Sequence, residues 1–364
     1  MNQDIFSRVM RTSWLSLHQS MQVRNHQLQS IDFVILAAQK NMRQKALREA
    51  FRNKTEFCVY ITDAHLKKLH LVQKGAIEEK RLPLRSVLEN GSILRLPELD
   101  GNIVVVNNSD IDSDNRMANF SIFYELHPST IFIGWDSDNH HTLQVSMAMA
   151  SLVDFYVQAH PENFYDLSRF NSLRAYVPLG VFFITMADSI KLLPRVLKSK
   201  RSDEPRGYFS QHGVFEWRNR VIATLSNSYE SVGFQFNGEF LHTDKMTEYF
   251  ENMTQNKAHW VVPALNDVSG RIFEIFLAGG IPLLPESLRF HPGLEGMDGN
   301  HVVYYSLNDV VDPRNVLEEA INKFNHGGAN GIRSRFDYAI SNHADRRLEK
   351  ILSMAASYFE FVYN

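Results

Sequence analysis

The residues best suited to chemistry lie between His259 and Glu286. Asp267, Ser269 and Gly270 fall in a polar turn, and Arg271 and Glu274 open the apolar stretch that follows. At a helix start the backbone N–H groups have no intrahelical acceptor, and with the helix dipole they draw an anion such as a phosphate. Arg271 and Glu274, three residues apart, share one helix face. An anion seat flanked by a cation and a carboxylate suits a nucleotide, with diphosphate at the helix end and ribose hydroxyls on Glu274. A second set, Asp136-Ser137-Asp138-Asn139-His140, follows the apolar run 130–135. Two carboxylates on either side of a serine have a spacing that can hold a hard divalent cation through oxygen. The same cluster offers general bases, although polar groups at a strand end are also ordinary turn chemistry. A third set, Asp63-Ala64-His65, ends the run 57–62 and has the same two readings.

Short apolar runs separated by turns must position these groups. Residues 260–264 read as a buried strand, 271–277 as a short helix, Gly279 and Gly280 as its stop, and 281–284 as a second buried strand. This is the pattern of a parallel strand–helix–strand unit. The first half repeats it, with strands expected at 33–38, 57–62, 103–106, 130–135 and 175–179, and helices at 41–52 and 142–158. Residues 117–126 fit helix or strand. Ligands of such sheets gather beyond the carboxyl ends of the strands, where Asp63, His65 and Asp136 to His140 would lie. Residues 66–100 are charged and irregular, an excursion with one short helix or hairpin. The mixed-charge stretch 198–206 reads as the connector between two domains. Beyond it come a glycine-flanked loop at 207–213, helices at 216–225 and 243–256, strands at 232–236 and 301–305, a helix from Asp312-Pro313 to Phe324, and an amphipathic helix at 344–361.

At 364 residues the chain exceeds the usual size of a single core. Its 44% hydrophobic and 22% charged content is ordinary for a soluble globular protein, and a net charge of −3 gives no global pull toward nucleic acid. One cysteine, Cys58, excludes an internal disulfide and is expected to be a buried core thiol. No run reaches the roughly 20 apolar residues of a membrane span, and the N-terminus lacks the build of a secretory signal. A cytoplasmic location follows as the expectation. Residues 1–30 carry Phe6, Val9, Met10, Trp14, Leu17 and Met21 at helical spacing, for packing on their own domain or for peripheral docking to a membrane surface or a partner.

Ser269-Gly270-Arg271-Ile272-Phe273-Glu274 together with Ala278-Gly279-Gly280-Ile281-Pro282-Leu283-Leu284 resembles the signature of GT-B-fold glycosyltransferases of the group 1 and exostosin-like kind. The likeness spans about residues 205–325. It implies two Rossmann-like parallel-sheet domains facing each other across a cleft: an acceptor-side domain at 1–200, a donor domain at 205–340, and a C-terminal helix at 341–364 packing back on the first. It further implies a nucleotide-sugar donor with Glu274 on its ribose and Ser269, Gly270 and Arg271 near its diphosphate. Where many members carry a carboxylate for the donor sugar, this chain has Asn266 with Asp267 beside it. The sugar-holding role stays open between the two. Arg218 and Lys257 are candidates for neutralising the leaving diphosphate in a site that requires no cofactor. The base for an acceptor hydroxyl, on a glycan or glycolipid and so in polysaccharide biosynthesis, would come from Asp63, His65, Asp136, Asp138 or His140. Two rivals remain: a metal-dependent transferase using Asp136 and Asp138, and an inactive nucleotide-sugar-binding scaffold.

Overall fold

In the computed structural model the described residues are 42–52, 54, 56–63, 66–71, 77–90, 93–137, 143–160, 173–210, 215–234, 246–264 and 267–363. They form two compact units, divided after Tyr176, with Lys68–His70 grouped with the second unit and Ile351 onward with the first.

The first unit is built on strands β1 (Phe57–Thr62), β2 (Ile77–Leu82), β3 (Ile103–Asn107), β4 (Ile131–Asp136), β5 (Phe155–Gln158) and β6 (Leu173–Tyr176). Every pairing is parallel, in the order β2-β1-β3-β4-β5-β6. Strands β3 and β4 are buried along their whole length, because helices cover a parallel sheet on both faces. The ambiguous stretch 117–126 is helical, part of Asp114–Leu126, with Ser113 capping through the Arg116 N–H. Its buried Phe120 and Phe123 meet Phe132 edge-on at 5.8 and 6.0 Å.

Several expectations change here. The charged stretch before residue 100 adds edge strand β2, whose IEEKRL sequence is polar on both faces because only one of its edges is paired. Cys58 is half-buried rather than a core thiol. It lies opposite Glu78 across β1 and β2, with Sγ 3.2 Å from that carboxylate. The helix expected at 142–158 stops at Leu152, and Phe155–Gln158 pairs as a strand. The strand placed at 175–179 is Leu173–Tyr176. The strand at 33–38, the helix within 1–30 and the Thr243 cap lie outside the described residues.

The second unit has β7 (Gly207–Phe209) parallel to β8 (Val232–Phe234), and β9 (Ala258–Trp260), β10 (Ile281–Pro285) and β11 (Val303–Tyr305) parallel in the order β11-β10-β9. A parallel bridge between Arg206 and His259 joins the two sets. Residues 198–206 therefore do not hang free between domains. Ser202 bridges Asn256, and Arg206 exchanges backbone hydrogen bonds of 2.9 and 2.8 Å with Ala258 and Trp260. The Gly270–Leu277 helix buries Ile272 through Leu277 without interruption, since the long Arg314–Ser341 helix packs against it as well. Each such large apolar side chain contributes about 1.5–3 kcal/mol relative to exposure. Gly279 ends this helix at φ +74°, a conformation that suits a residue without Cβ. The helix expected to end at Phe324 continues to Ser341, with one break at Gly328.

Candidate functional site

In the second unit the chain runs from β7 outward to β8, then returns to place β9 on the other side of β7. That reversal opens a crevice beyond the carboxyl ends of β7 and β9, the usual ligand position in an open parallel sheet. Arg218, from the Glu216–Ser226 helix, spans it: Nε donates to the Val262 carbonyl at 2.9 Å and Nη1 to the Ser210 carbonyl at 2.8 Å. Its guanidinium stands 5.4 Å from the Phe209 ring centroid, and the Arg271 guanidinium stands 5.1 Å from the same ring. Burial and the like charge of Arg271 push the Arg218 pKa down to about 10, with buried Asp267 acting the other way. Arg271 also donates to the Tyr208 carbonyl. Ser269, Gly270 and Arg271 at the helix start are all partly exposed. Arg218, Asp267, Ser269, Gly270 and Arg271 are thus brought together; Asn266 lies outside the described residues.

Beside this crevice is a cavity of about 310 Å³ lined by Arg206, Tyr208, Tyr249, His259, Arg271 and Ile275, among others. Glu274 sits next to it, 4% exposed, and accepts a 2.9 Å hydrogen bond from the Tyr249 hydroxyl. Burial raises the Glu274 pKa, opposed by Arg271 and by the Tyr249 hydrogen bond. The Tyr249 hydroxyl is itself held above its ordinary pKa by burial and by the Glu274 charge. His259 is pushed down to about 3 by burial and by Arg201 and Arg206, so it is neutral at ordinary pH. Its Nε2 lies 3.3 Å from the Asn256 carbonyl and carries the proton there. Lys257 lies elsewhere. It precedes the amino end of β9, pairs with Asp203, and stands 5.9 Å from the Phe324 ring. Sequence reasoning missed Arg206, assigned to the connector, and Tyr249, read only as a helix residue. An arginine immediately before the Gly207 strand was the available signal for the first.

The first sheet reverses in the same way, between β1 and β3. Asp63 is exposed just beyond β1, and Asp136 is buried at the end of β4, where it accepts the Tyr156 hydroxyl at 2.8 Å. His65, Asp138 and His140 lie outside the described residues. Between Asp63 and Asp136 the structure places Asp110, which the sequence shows only as part of a turn. Its Oδ2 accepts the Asn107 N–H at 2.9 Å, and the buried Thr62 hydroxyl stands close to the carboxylate. Burial raises the Asp110 pKa to about 6, against the lowering effect of Thr62 and Asn107. Asn107 and Asn108 hold Ser137 at 3.0 and 2.8 Å. Among the described residues no cluster of three His, Cys, Asp or Glu could hold a metal ion. No described helix is long and apolar enough to cross a membrane. His343 is a structural group: Nε2 donates to the Ile184 carbonyl at 3.0 Å and burial lowers its pKa to about 4.

Fold and site together define an α/β protein with parallel sheets, whose second unit carries two arginines and a helix start at a strand-order reversal. No protein-family profile and no curated protein matches the chain in sequence. Among solved structures, it is similar to an alpha,alpha-trehalose 6-phosphate synthase from Burkholderia multivorans, with 9% identity and a TM-score of 0.44 over 84% of this chain and 98% of that one. It is similar also to an OtsA apo structure, with 10% identity and a TM-score of 0.46 over 87% and 95%. A UDP-forming alpha,alpha-trehalose-phosphate synthase from Burkholderia vietnamiensis overlaps with 10% identity and a TM-score of 0.43 over 82% and 100%. Overlaps of this quality bear on no residue's role.

Proposed function

We propose that the chain is a glycosyltransferase that moves a sugar from a nucleoside-diphosphate sugar to an acceptor hydroxyl. The observation that carries this reading is the convergence of Arg218, Arg271 and the start of the 270–277 helix at the strand-order reversal of the second sheet. Preorganised cations and N–H groups stabilise charge that develops on a leaving diphosphate. The sugar–oxygen bond to the diphosphate breaks, and the diphosphate leaves with the electron pair. The acceptor oxygen forms the new bond, and its proton passes to a base or to the departing phosphate. The resemblance of Ser269 to Leu284 gives Glu274 the donor ribose, a role in which the Tyr249 hydroxyl shares the carboxylate. The adjoining cavity of about 310 Å³ lies at the small end of the usual range for a small-molecule site. Acceptor chemistry falls to the first unit, where Asp110, with a pKa near 6, joins Asp63 and Asp136 as a candidate base. The transfer as proposed needs no metal.

The test is a screen for release of nucleoside diphosphate from a panel of nucleotide sugars, with and without EDTA. Release with one donor, undiminished by the chelator, is expected. Turnover abolished by EDTA would favour the metal-dependent reading. A second reading, a binding protein without turnover, draws on the closure of Glu274 behind Tyr249. It predicts nucleotide-sugar binding with no release from any donor.

A further inference from the structure

The cavity beside the crevice is lined by a cation, Arg206, that the proposed transfer does not use. In the parallel bridge Arg206 pairs with His259, so their side chains project from one face of the sheet. Tyr208, two residues on, projects from the same face. The Met246–Met253 and Gly270–Leu277 helices bring Asn252, Arg271 and Ile275 to this cavity. Both guanidiniums meet Tyr208: that of Arg206 stands 5.1 Å from the ring centroid, and Arg271 Nη1 donates to the carbonyl. Apart from that carbonyl, their N–H forks have no acceptor among the described residues, and neither arginine is paired with a carboxylate there.

Other groups do little to offset these charges. Glu274 lies behind Tyr249, whose hydroxyl is on its carboxylate at 2.9 Å. The acid that does line the cavity is Glu248, which is exposed to solvent. Two guanidiniums that share a small space repel each other, and drawing them partly out of water without a counter-ion is costly. The cavity therefore calls for an oxyanion. A carboxylate has oxygens for one N–H fork, whereas a phosphate group has enough for both. At about 310 Å³ there is room for that group and a few atoms more, against Ile275 and the Asn252 amide.

We propose that this cavity is a phosphate-group site held by Arg206 and Arg271, and that filling it weakens nucleotide binding in the crevice because Arg271 serves both. The weakening rests on the reading of Arg271 as a partner of the donor diphosphate; the phosphate site itself does not.

The test is calorimetric titration of wild type and Arg206→Met with inorganic phosphate and with glycerol 3-phosphate, at constant ionic strength. Wild type binds both probes, and Arg206→Met binds them about tenfold or more weakly. The tighter probe names the source of the group, free ion or ester, and either order supports the site. UDP is then titrated with and without phosphate. Phosphate weakens UDP binding to wild type and does not weaken it further in Arg206→Met. Should Arg206→Met fail to fold, Glu248→Gln decides at an exposed position: removing that charge tightens phosphate binding, and no tightening overturns the site. No phosphate binding by wild type, or equal binding by wild type and Arg206→Met, would overturn it as well. Phosphate that leaves UDP binding to wild type unchanged would overturn the coupling. Phosphate binding that depends on Arg206 in a protein that binds no UDP would support the site while removing the nucleotide reading.

Discussion

The two sheets share a plan but present opposite charges at their reversals. In each, the chain goes one strand outward, returns past its starting strand and continues on the other side. Beyond β1 and β3 the first unit offers Asp63 and Asp110, with Asp136 nearby at the end of β4. Beyond β7 and β9 the second offers Arg218 and Arg271, with Asp267 beside them. The same topology therefore yields two different sites, because the side chains at the strand ends decide what each can hold. A crevice with two guanidiniums suits a diphosphate, and one with buried acids suits a hydroxyl that must lose a proton.

The largest effect that could break this contrast is loss of the cation in the second unit. Arg271→Ala is expected to lower kcat/KM for a donor that is turned over by about 10²-fold or more, the scale of one lost charge-stabilising donor. Asp63→Ala, in the first unit, should leave nucleotide affinity unchanged. Equal losses of nucleotide affinity in both variants would erase the distinction.

The acidic side is sharpened by pH. Asp110 has its pKa raised from 3.8 to about 6, so its ionised form is disfavoured in the folded protein. The cost is fully present above about pH 6 and fades as pH falls toward 3.8, where both states are protonated. Asp110→Asn removes it: urea unfolding should show a gain of roughly 2–3 kcal/mol at pH 8 and none near pH 4. A gain of the same size at both values would show that the charge is not the cause.

Packing behind the two sites gives a smaller difference. A Cβ on Gly280 would meet the His259 ring at 2.7 Å, whereas one on Gly134 would meet the flexible end of Met149 at 2.7 Å. Gly280→Ala is expected to cost about 1–3 kcal/mol in denaturant unfolding, and Gly134→Ala less, since a methionine can move.

The central runs of both sheets were legible because burial on both faces leaves a continuous apolar stretch. Residues 57–62, 130–135 and 281–284 are examples, each observed within a residue of its expected place. Edge strand β2 was hidden because a strand open to solvent carries charge like a loop. The break after Leu152 was hidden because β5, with Phe155 to Val157 buried, continues the apolar pattern of the helix before it. At the candidate site, Arg271 and Arg218 drew attention through their place at helix starts. Asp110 and Tyr249 were not, since their chemistry comes from burial and from partners distant in sequence, Thr62 and Glu274. The surroundings of Lys257 were hidden for a related reason. Its nearness in sequence to the 270–277 helix hides that β9 separates the lysine from the helix start.

Isothermal titration of the full chain with UDP, ADP and GDP tests the central claim most directly. Binding of at least one nucleoside diphosphate, weakened about tenfold or more by Arg271→Ala and unaffected by Asp63→Ala, is the result the account predicts. No binding of any of the three, or binding that Arg271→Ala leaves unchanged, would contradict it.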